Sequence, residues 1–530
     1  MYSQMKFLFL VFLGLGNSAM AARILAVFPY PSYSHQVVHH ALTTGLADRG
    51  HELIVFTTDP MNKNISNYRE VSLKFLYKGF TKQFNFVKLE GLWNLLYGVQ
   101  QLAVTLSDTV LSHPEMQRLL SSTQSSDKID LIIMSVMYWD ALYYLSDKFN
   151  APLIGISSLS DLSYLTFKLG MPHASSYIPN NWMGYSDQMS FLERLINIYG
   201  NLRILHEYYA TNLPMQEKIL KKHFGDNVPP TDQLSQRISM LFMNSHPYLS
   251  HARPTVPAIL QIGGIRSEKM NTSLPKGLKK ILDDATQGFI YFSLGTNVKS
   301  IQLSNHTLKT FNEVFSELPY QVVWKFESED LEGKPDNVYI SKWMPQHGIL
   351  AHPNIKLFMY QGGLQSSEEA IDNGVPLLGI PVFGDQWYNV NILRVRGVAK
   401  TLDIFDADKA EIKETIQEMI SNSSYRDNTI KLKELLHDRP QHPLKEAIWW
   451  VEHVIRHKGA PHLRTRSRDL SWYTIEMVDV FGFFVLLIVV LFLVGWTLWR
   501  LAIAMIKVHG RSCFDKINGP STMNKKSKTS

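Results

Sequence analysis

The hydrophobic and polar positions of this chain alternate between short apolar runs and longer stretches of helical spacing. Near the start, the apolar run 24–28 predicts a buried strand, the spacing from His35 to Gly50 predicts a helix, and the run 52–57 predicts the next strand. The same order returns less regularly, with strands at 131–134 and 153–156 around a helix at 141–149. Strands that alternate with helices predict a parallel sheet flanked by helices.

A second α/β series follows a proline-rich break. The segment from Pro247 to Pro257 contains three prolines and is our candidate linker between two domains. Two similar halves joined by a linker predict a ligand-binding cleft between them. Residues 160–245 are rich in aromatic residues and methionine, which could line an apolar cavity or fill a core. The strands predicted for the second half are 289–293, 322–326, 338–340, 357–359 and 377–380.

Both ends of the chain carry apolar segments of a different kind. Residues 1–21 contain Lys6, an apolar run and small residues before position 22, which predicts a secretory signal peptide. The alternative, a signal anchor, is disfavoured because the run is short for a hydrocarbon layer of roughly 30 Å. Val480 to Trp499 carries no charge and predicts a transmembrane helix rather than a buried core helix, since every face is apolar.

The charge, the cysteine content and the glycosylation sequons are consistent with a chain that enters the secretory pathway. The chain has 530 residues, is 45% hydrophobic and carries a net charge of +6, much of it beyond the apolar segment, so nucleic-acid binding is not indicated. The only cysteine, Cys513, lies in the tail, so the preceding part can form no disulfide. The tail ends in a lysine pattern that fits either an endoplasmic reticulum retrieval signal or a solvated basic tail. Glycosylation sequons occur at Asn64, Asn271, Asn305 and Asn422.

Two glycine turns have the character of an anion site. The segment 289–296, FIYFSLGT, predicts a strand that ends in a turn at Gly295. The segment 358–370, FMYQGGLQSSEEA, places a strand, two glycines and a helix start in succession, so that free N–H groups at the helix start would face a diphosphate. The spacing matches neither the dinucleotide nor the Walker pattern, so NAD and ATP are not inferred.

These segments, together with the Pro29 to His35 motif, IGGI at 262–265 and the stretch 341–389, resemble the signature of the UDP-glycosyltransferases. Members of that membrane-anchored family have the GT-B fold, an α/β architecture of two Rossmann-like domains facing a cleft. The likeness covers nearly the whole chain and is greatest to insect members, which generally use UDP-glucose and lipophilic acceptors.

The resemblance and the apolar pattern together predict a fixed domain order. A signal peptide at 1–21 precedes an acceptor-binding domain at 22–250 and a UDP-sugar-binding domain at 251–440. A helical and membrane-proximal segment at 441–478, a transmembrane helix at 479–500 and a cytoplasmic basic tail at 501–530 complete the order.

The resemblance also implies a role for individual residues in the donor site. Trp343 would stack on uracil, Gln346 would contact the base, and Glu369 would bind the ribose hydroxyls. Asp385 and Gln386 would contact the sugar. The residues implied around the diphosphate are Ser293, Gly295, Thr296, Gln361, Gly363 and Gln365.

His35 matches the histidine that serves the family as general base. Its near-neutral pKa suits removal of a proton from an acceptor hydroxyl. Where vertebrate-like members have an acid to orient this ring, the present chain has Ser135, so Asp140 is our candidate for that role. A second departure is Tyr360-Gln361 in place of Thr-His, because Gln361 cannot become cationic.

No metal or other cofactor is expected, since the UDP-sugar is a co-substrate. His35 and His39 are spaced as a metal pair, but no third ligand is evident. Asp406-Ala-Asp408 matches a metal-binding motif of a different glycosyltransferase fold. We interpret Asp408 and Glu411 instead as a helix capping box.

The function implied is an inverting transfer of a hexose, with UDP-glucose as the expected donor, to a hydroxyl of a small lipophilic acceptor. UDP-glucuronic acid and UDP-galactose are the alternative donors. A carrier protein without catalysis and a structural membrane protein remain alternatives, which UDP-sugar turnover would separate from the enzyme. The expected location is the endoplasmic reticulum membrane, single-pass type I with a lumenal catalytic part; a homo- or hetero-oligomer is left open.

Overall fold

The structure, a computed structural model, describes residues 21–83, 91–172, 174–266, 272–517 and 519. It comprises two compact units, one up to Thr465 and one from Arg466 onward. The segment predicted as a signal peptide, the sequon at Asn271 and the lysine pattern at the end of the tail lie outside the described residues.

The first half of the larger unit is built on a parallel sheet. Its strands follow the order β3-β2-β1-β4-β5-β6-β7. The central strands are buried along almost their whole length, which is what continuous apolar runs dictate when helices cover both faces. The strands are β1 Arg23–Phe28, β2 Glu52–Thr57, β3 Tyr68–Ser72, β4 Leu131–Ser135, β5 Leu153–Ser157, β6 Ile238–Met243 and β7 Ile259–Gln261.

Helices flank this sheet, and two of the connections depart from α-helical geometry. Asp140–Tyr144 forms a 3₁₀ turn, and Tyr208–Asn212 forms a π-helical turn. The helices are α1 Tyr33–Asp48, α2 Leu76–Gln83, α3 Leu92–Ser112, α4 Pro114–Ser121, α5 Leu145–Phe149, α6 Ser163–Lys168, α7 Phe191–Glu207, α8 Leu213–Phe224 and α9 Thr231–Leu234.

A second parallel sheet forms the other half, in the order β10-β9-β8-β11-β12-β13. Its strands are β8 Phe289–Ser293, β9 Gln321–Lys325, β10 Val338–Ser341, β11 Ile355–Tyr360, β12 Leu377–Gly379 and β13 Ala399–Thr401. Its helices are α10 Lys276–Asp284, α11 Asn305–Ser316, α12 Gln346–Leu350, α13 Leu364–Asp372, α14 Gln386–Val395, α15 Lys409–Ser421 and α16 Ser424–His437.

The chain then returns to the first half. Helix α17, Pro443–Arg456, buries Leu444, Ala447 and Val451 in the apolar cluster beneath the first sheet. Its Glu452 accepts a hydrogen bond from Nε of Arg49, at 3.0 Å, beyond the end of α1. Helix α17, which forms the start of the segment predicted at 441–478, is thus part of the packing of the first half, whereas residues from Arg466 onward belong to the smaller unit.

The strands predicted from the apolar runs are confirmed within one or two residues at their ends. The predicted helix 141–149 begins instead as the 3₁₀ turn and becomes α-helical only at Leu145. The predicted linker, Pro247 to Pro257, joins β6 to β7, and both strands belong to the first sheet. The first domain therefore extends past residue 250, because β7 pairs with β6 through Met243 and Gln261.

The smaller unit is dominated by one long helix. After α18, Trp472–Ile475, helix α19 covers Val478–Ile517. Within it, Val478–His509 is long and apolar enough to cross a membrane, with a mean hydropathy of 2.9 and none of the most apolar window buried. This candidate span contains the predicted segment 479–500.

Candidate active site

A cavity of about 740 Å³ lies between the two sheets of the larger unit. One wall is helix α1 with the loop after β2, and the other is formed by the strand ends and helix starts of the second sheet. Crevices at the carboxyl ends of parallel strands are where α/β folds bind ligands. The cavity is lined by nine of the predicted donor residues: Ser293, Gly295, Thr296, Trp343, Gln346, Gln361, Gly363, Gln365 and Glu369.

The glycine turns meet at one side of this cavity. Gly295 has a φ of +80°, and a Cβ there would collide with the side-chain amide of Gln361. Gly362, with a φ of +90°, leads to Gly363, the N-cap of helix α13. The first N–H groups of a helix have no intrahelical partner and attract anions. The turns therefore form a surface on which a diphosphate can dock.

The residues predicted for the nucleoside form a connected group. The Nε2 of Gln346 donates to Oε2 of Glu369 at 2.9 Å, and Arg266 donates to Oε1 at 3.0 Å. Glu369 is buried, so its charge requires these partners. Trp343 is exposed, and its ring meets the ring of Tyr33 edge to face, with centroids 5.4 Å apart. Trp343 thus offers a face at the mouth of the cavity.

His35 lies near the start of α1 with its Nδ1 hydrogen-bonded to Oγ of Ser158. Ser158 directly follows β5 and is itself buried. No hydrogen-bond partner of Nε2 is found among the residues that the structure describes, so that nitrogen can accept a proton. Burial lowers the pKa of His35 to about 4, which keeps the ring neutral at physiological pH.

The structure does not bring Asp140 to His35. Tyr208 donates to Oδ1 of Asp140 and Asn212 donates to Oδ2, the latter at 3.0 Å. Asp140 is fully buried, and burial raises the pKa of its carboxyl group to about 6. Both carboxylate oxygens thus accept hydrogen bonds from the π-helical turn Tyr208–Asn212, and no hydrogen bond between Asp140 and His35 is found among the described residues.

Ser135, at the position of the vertebrate acid, is buried at the end of β4. Its hydroxyl has no hydrogen-bond partner among the described residues. Ser135 therefore does not supply the missing contact to His35. In the part of the chain that the structure describes, Ser158 is the hydrogen-bonding partner of that ring.

The residues predicted to contact the sugar lie outside the lining of the cavity. Asn389 donates to Oδ2 of Asp385 at 2.9 Å, and burial raises the pKa of Asp385. The negative charge of Asp385 also contributes to raising the pKa of Tyr30, whose ring lies 4.7 Å from that of His35. Tyr30 thus contacts the ring of the predicted base and is within electrostatic range of the predicted sugar ligand.

Gln386 has a structural role in this conformation. Its Oε1 accepts hydrogen bonds from the backbone N–H groups of Val382 and Phe383, at 2.8 and 3.0 Å. The amide thereby fixes the loop between β12 and α14, which carries Asp385.

Polar contacts join the two halves around the cavity. The Nε2 of Gln365, in the first turn of α13, donates to the carbonyl oxygen of Ser158 at 3.0 Å. Deeper in the fold, Arg253 forms an ion pair of 3.0 Å with Asp161, and both side chains are about 5% exposed. Arg253 also donates to the hydroxyl of Tyr388 in α14, at 2.9 Å.

The two motifs considered for metal binding have other roles. Asp408 is the N-cap of α15 and accepts from the N–H of Glu411 at 2.9 Å, which is one of the two hydrogen bonds of the predicted capping box. His39 stacks on Phe28 with ring centroids 4.3 Å apart. No group of three metal-ligating side chains is found among the described residues.

Sequence reasoning missed Ser158, Tyr33 and Arg266. The sequence contained a signal for two of these three residues. Ser158 follows the carboxyl end of a predicted strand, where ligand contacts concentrate, and Arg266 directly follows the IGGI motif. Tyr33 lies in the loop-like stretch before His35 and had no comparable signal.

Most of the chain is similar to proteins of known class. The family model described as UDP-glucoronosyl and UDP-glucosyl transferase matches residues 23–512. "UDP-glycosyltransferase UGT5" of Dactylopius coccus is 34% identical, over 92% of this chain and 93% of the relative. "UDP-glucosyltransferase 2" of the same insect is 34% identical over 88% and 90%. "Ecdysteroid UDP-glucosyltransferase" of Spodoptera littoralis nuclear polyhedrosis virus is 32% identical over 88% and 94%.

Solved structures share the fold at low sequence identity. A glycotransferase of kitacinnamycin is 16% identical, with a TM-score of 0.55, over 83% of this chain and 99% of that chain. LpCGTa in complex with UDP is 15% identical, with a TM-score of 0.51 over 83% and 99%. The two parallel sheets are thus those of the GT-B fold, as predicted. The chain belongs to the UDP-glucuronosyl and UDP-glucosyl transferase family and is a UDP-sugar-dependent glycosyltransferase.

Proposed function

We propose that this glycosyltransferase moves glucose from UDP-glucose to a hydroxyl of a small lipophilic acceptor, with His35 as general base. The observation that carries the donor part of the proposal is the cavity, which gathers the predicted nucleoside and diphosphate contacts along one wall. His35 is not among the lining residues, and its role rests on the family resemblance and on its place near the start of α1. Two of the relatives are named glucosyltransferases, and one of these is named for an ecdysteroid, a lipophilic acceptor class.

A neutral hexose suits the expected sugar position better than a uronic acid. Asp385 is the predicted sugar ligand, and burial already raises the pKa of its carboxyl group. A donor carboxylate beside it would add a second negative charge in a desolvated place, which is costly without a cation. UDP-glucose and UDP-galactose avoid that cost, and the names of an insect and a viral relative favour glucose.

The proposed reaction is a single displacement. The acceptor oxygen attacks the anomeric carbon and forms the new C–O bond, its proton passes to Nε2 of His35, and the bond from the anomeric carbon to the UDP oxygen breaks. The electron pair of that bond leaves with UDP, where N–H groups at the start of α13 stabilise the diphosphate. One attack from the opposite face inverts the configuration.

Ser158 would orient the base in place of a carboxylate. The mechanism requires the tautomer in which Nδ1–H donates to the Ser158 hydroxyl, because this bond then fixes the ring and Nε2 is the proton acceptor. A serine hydroxyl contributes no negative charge, so the low pKa of the buried ring is retained. The general base is then neutral and ready over the whole physiological range, although weakly basic.

This role of Ser158 predicts a pH signature. Ser158→Ala should lower kcat and leave the affinity for UDP unchanged, whereas Ser158→Asp should shift the acid limb of kcat/KM to higher pH. The upward shift is expected because a carboxylate beside Nδ1 stabilises the imidazolium. Asp140→Asn is the comparison. If it lowers kcat and displaces the acid limb while Ser158→Ala does neither, Asp140 and not Ser158 orients the base.

The location proposed is the endoplasmic reticulum membrane, with α19 as a single type I anchor and the larger unit in the lumen. The support is the apolar span Val478–His509 and the signal-like start of the sequence. Digestion of intact and detergent-opened microsomes with protease tests the orientation. The larger unit should resist the protease until the detergent is added.

The activity is tested by UDP release from UDP-glucose in microsomes that express the full chain, with a panel of phenolic acceptors. Acceptor-dependent release should disappear in His35→Ala and persist in His306→Ala, a control on the exposed side of α11. UDP binding by both variants should remain. Binding of UDP without release, for every donor and acceptor, would overturn the enzymatic proposal and favour a carrier.

A further inference from the structure

Helix α7 exposes apolar side chains to solvent and buries polar ones. Seven apolar side chains on its outer surface are between 39% and 73% exposed, among the most exposed large apolar residues of the larger unit. At 100° per residue they occupy an arc of roughly 160° on the helix. They are Phe191, Leu192, Leu195, Ile196, Ile198, Tyr199 and Leu202. We call them the α7 face.

The inner side of the same helix carries asparagine side chains that are held by hydrogen bonds. The Nδ2 of Asn197 donates to the carbonyl oxygens of Ser175 and Ile178, at 2.8 and 2.9 Å, and its Oδ1 accepts from the backbone N–H of Asn180. Asn201 accepts from Nδ2 of Asn180 at 2.6 Å. These bonds fix the rotation of the helix, so the apolar side cannot turn inward without losing them.

Water is a poor solvent for such a surface. A helix of a soluble protein normally buries its apolar stripe, and a contiguous exposed patch of this kind marks an interaction surface. Two polar side chains share the arc, Arg203 near one edge and the exposed His206 toward the C-terminal end of the helix, while Arg194 lies outside it. The guanidinium of Arg194 lies 5.9 Å from the ring of Phe191, and that of Arg203 lies 4.0 Å from the ring of Trp93.

We propose that the α7 face lies in the interfacial layer of a lipid bilayer. The inference rests on the proposed membrane anchoring, because a chain that carries α19 is held at a bilayer and presents its surfaces to it. An exposed apolar face with an arginine near one edge and another beside it is similar to helices that insert into the headgroup and acyl boundary. A helix of 17 residues is roughly 25 Å long, enough to lie flat along that boundary.

The test uses the full chain in phosphatidylcholine vesicles. Cys513, the only cysteine, is first replaced by serine, and an environment-sensitive fluorophore is attached to Leu195→Cys. Leu435→Cys is the matched control, a leucine of α16 that is 45% exposed against 54% for Leu195. Leu486→Cys, in the candidate span, reports on the anchor. Quenching by lipids with spin labels in their acyl chains is measured for each, and UDP binding confirms that every variant is folded.

The proposal expects strong quenching at positions 195 and 486 and at least a fivefold weaker effect at 435. Quenching at 486 without quenching at 195 would overturn the role of the α7 face and leave the anchor intact. Absence of quenching at both would refute the anchor itself. A disulfide-linked dimer of the unlabelled Leu195→Cys variant, with no quenching at 195, would show that a second copy covers the face and would also overturn the proposal.

Discussion

Removal of the Trp343 ring should weaken UDP binding without unfolding the protein. The indole is 58% exposed and contacts Tyr33 only edge to face, so truncation to alanine removes little buried apolar surface. Stacking of a nucleobase on an aromatic ring contributes about 1–3 kcal/mol by alanine substitution. With roughly 1.4 kcal/mol per tenfold change, Trp343→Ala should raise the Kd for UDP about 5- to 150-fold.

The assay is calorimetric titration of UDP into the purified full chain, with the melting temperature measured in parallel. Trp343→Phe should recover part of the affinity, since it keeps a smaller aromatic face. Trp449→Ala is the control. That indole is 48% exposed and stacks on His453 with centroids 5.3 Å apart, but it does not line the cavity.

The two tryptophans therefore separate stacking on the base from a general effect of losing an exposed indole. An unchanged Kd in Trp343→Ala, at an unchanged melting temperature, would refute the stacking role. Equal losses of affinity in Trp343→Ala and Trp449→Ala would refute it as well, because only one of the two rings faces the cavity.

Three further changes probe the turn, the junction between the halves and the base. Gly362→Ala should lower the free energy of unfolding by about 2 kcal/mol or more, because φ is +90° and a Cβ would lie 2.8 Å from the Gln386 carbonyl oxygen. The control, Gly277→Ala, should leave the free energy of unfolding unchanged or raise it, because the added Cβ would enter open space. Arg253→Met should cost roughly 3–5 kcal/mol in urea unfolding by leaving a buried carboxylate unpaired, and a loss below 1 kcal/mol would contradict this. A plot of kcat/KM against pH should stay flat down to about pH 5 and fall with an apparent pKa near 4, since only neutral His35 is active; a midpoint near 6.5 would contradict the buried base.

Much of the fold follows from local pattern. Apolar runs such as 52–57 and 289–293 coincide with strands, because a strand buried on both faces must be apolar throughout. Short or partly exposed strands escaped the same reasoning. Tyr68–Ser72 exposes Arg69 and Ser72 at a sheet edge, and Ala399–Thr401 is only three residues long. Neither has a continuous apolar run to identify it.

The domain boundary was harder to predict for a different reason. Prolines mark a break in regular structure, and the segment between β6 and β7 does contain such a break. Arg253 lies in that segment, however, and is paired with buried Asp161. A segment whose charge is neutralised inside the fold is a packed connection, which composition alone cannot distinguish from an exposed linker.

The donor side of the cavity was predictable because its residues lie close together in the sequence. The residues from Trp343 to Glu369 follow consecutive strand ends, so a single sequence motif predicts both their order along the chain and their proximity in the fold. The base is different. His35 and Ser158 are 123 positions apart, and Gln365 and Ser158 are 207 positions apart, so these contacts depend on the order of strands in the sheet and on the approach of the two halves.

Ser158 belongs to both contacts, and this gives it a role that neither contact suggests alone. Its hydroxyl lies at Nδ1 of His35, and its carbonyl oxygen accepts from Gln365 at the start of α13, where the diphosphate is expected. A shift of the second half of the fold would therefore move Ser158 and, through it, change the position of the His35 ring. Gln365→Ala keeps the hydroxyl of Ser158 but removes this link, so it should lower kcat for UDP-glucose more than it raises the Kd for UDP. Equal effects on the two quantities would mean that Gln365 acts on the donor alone.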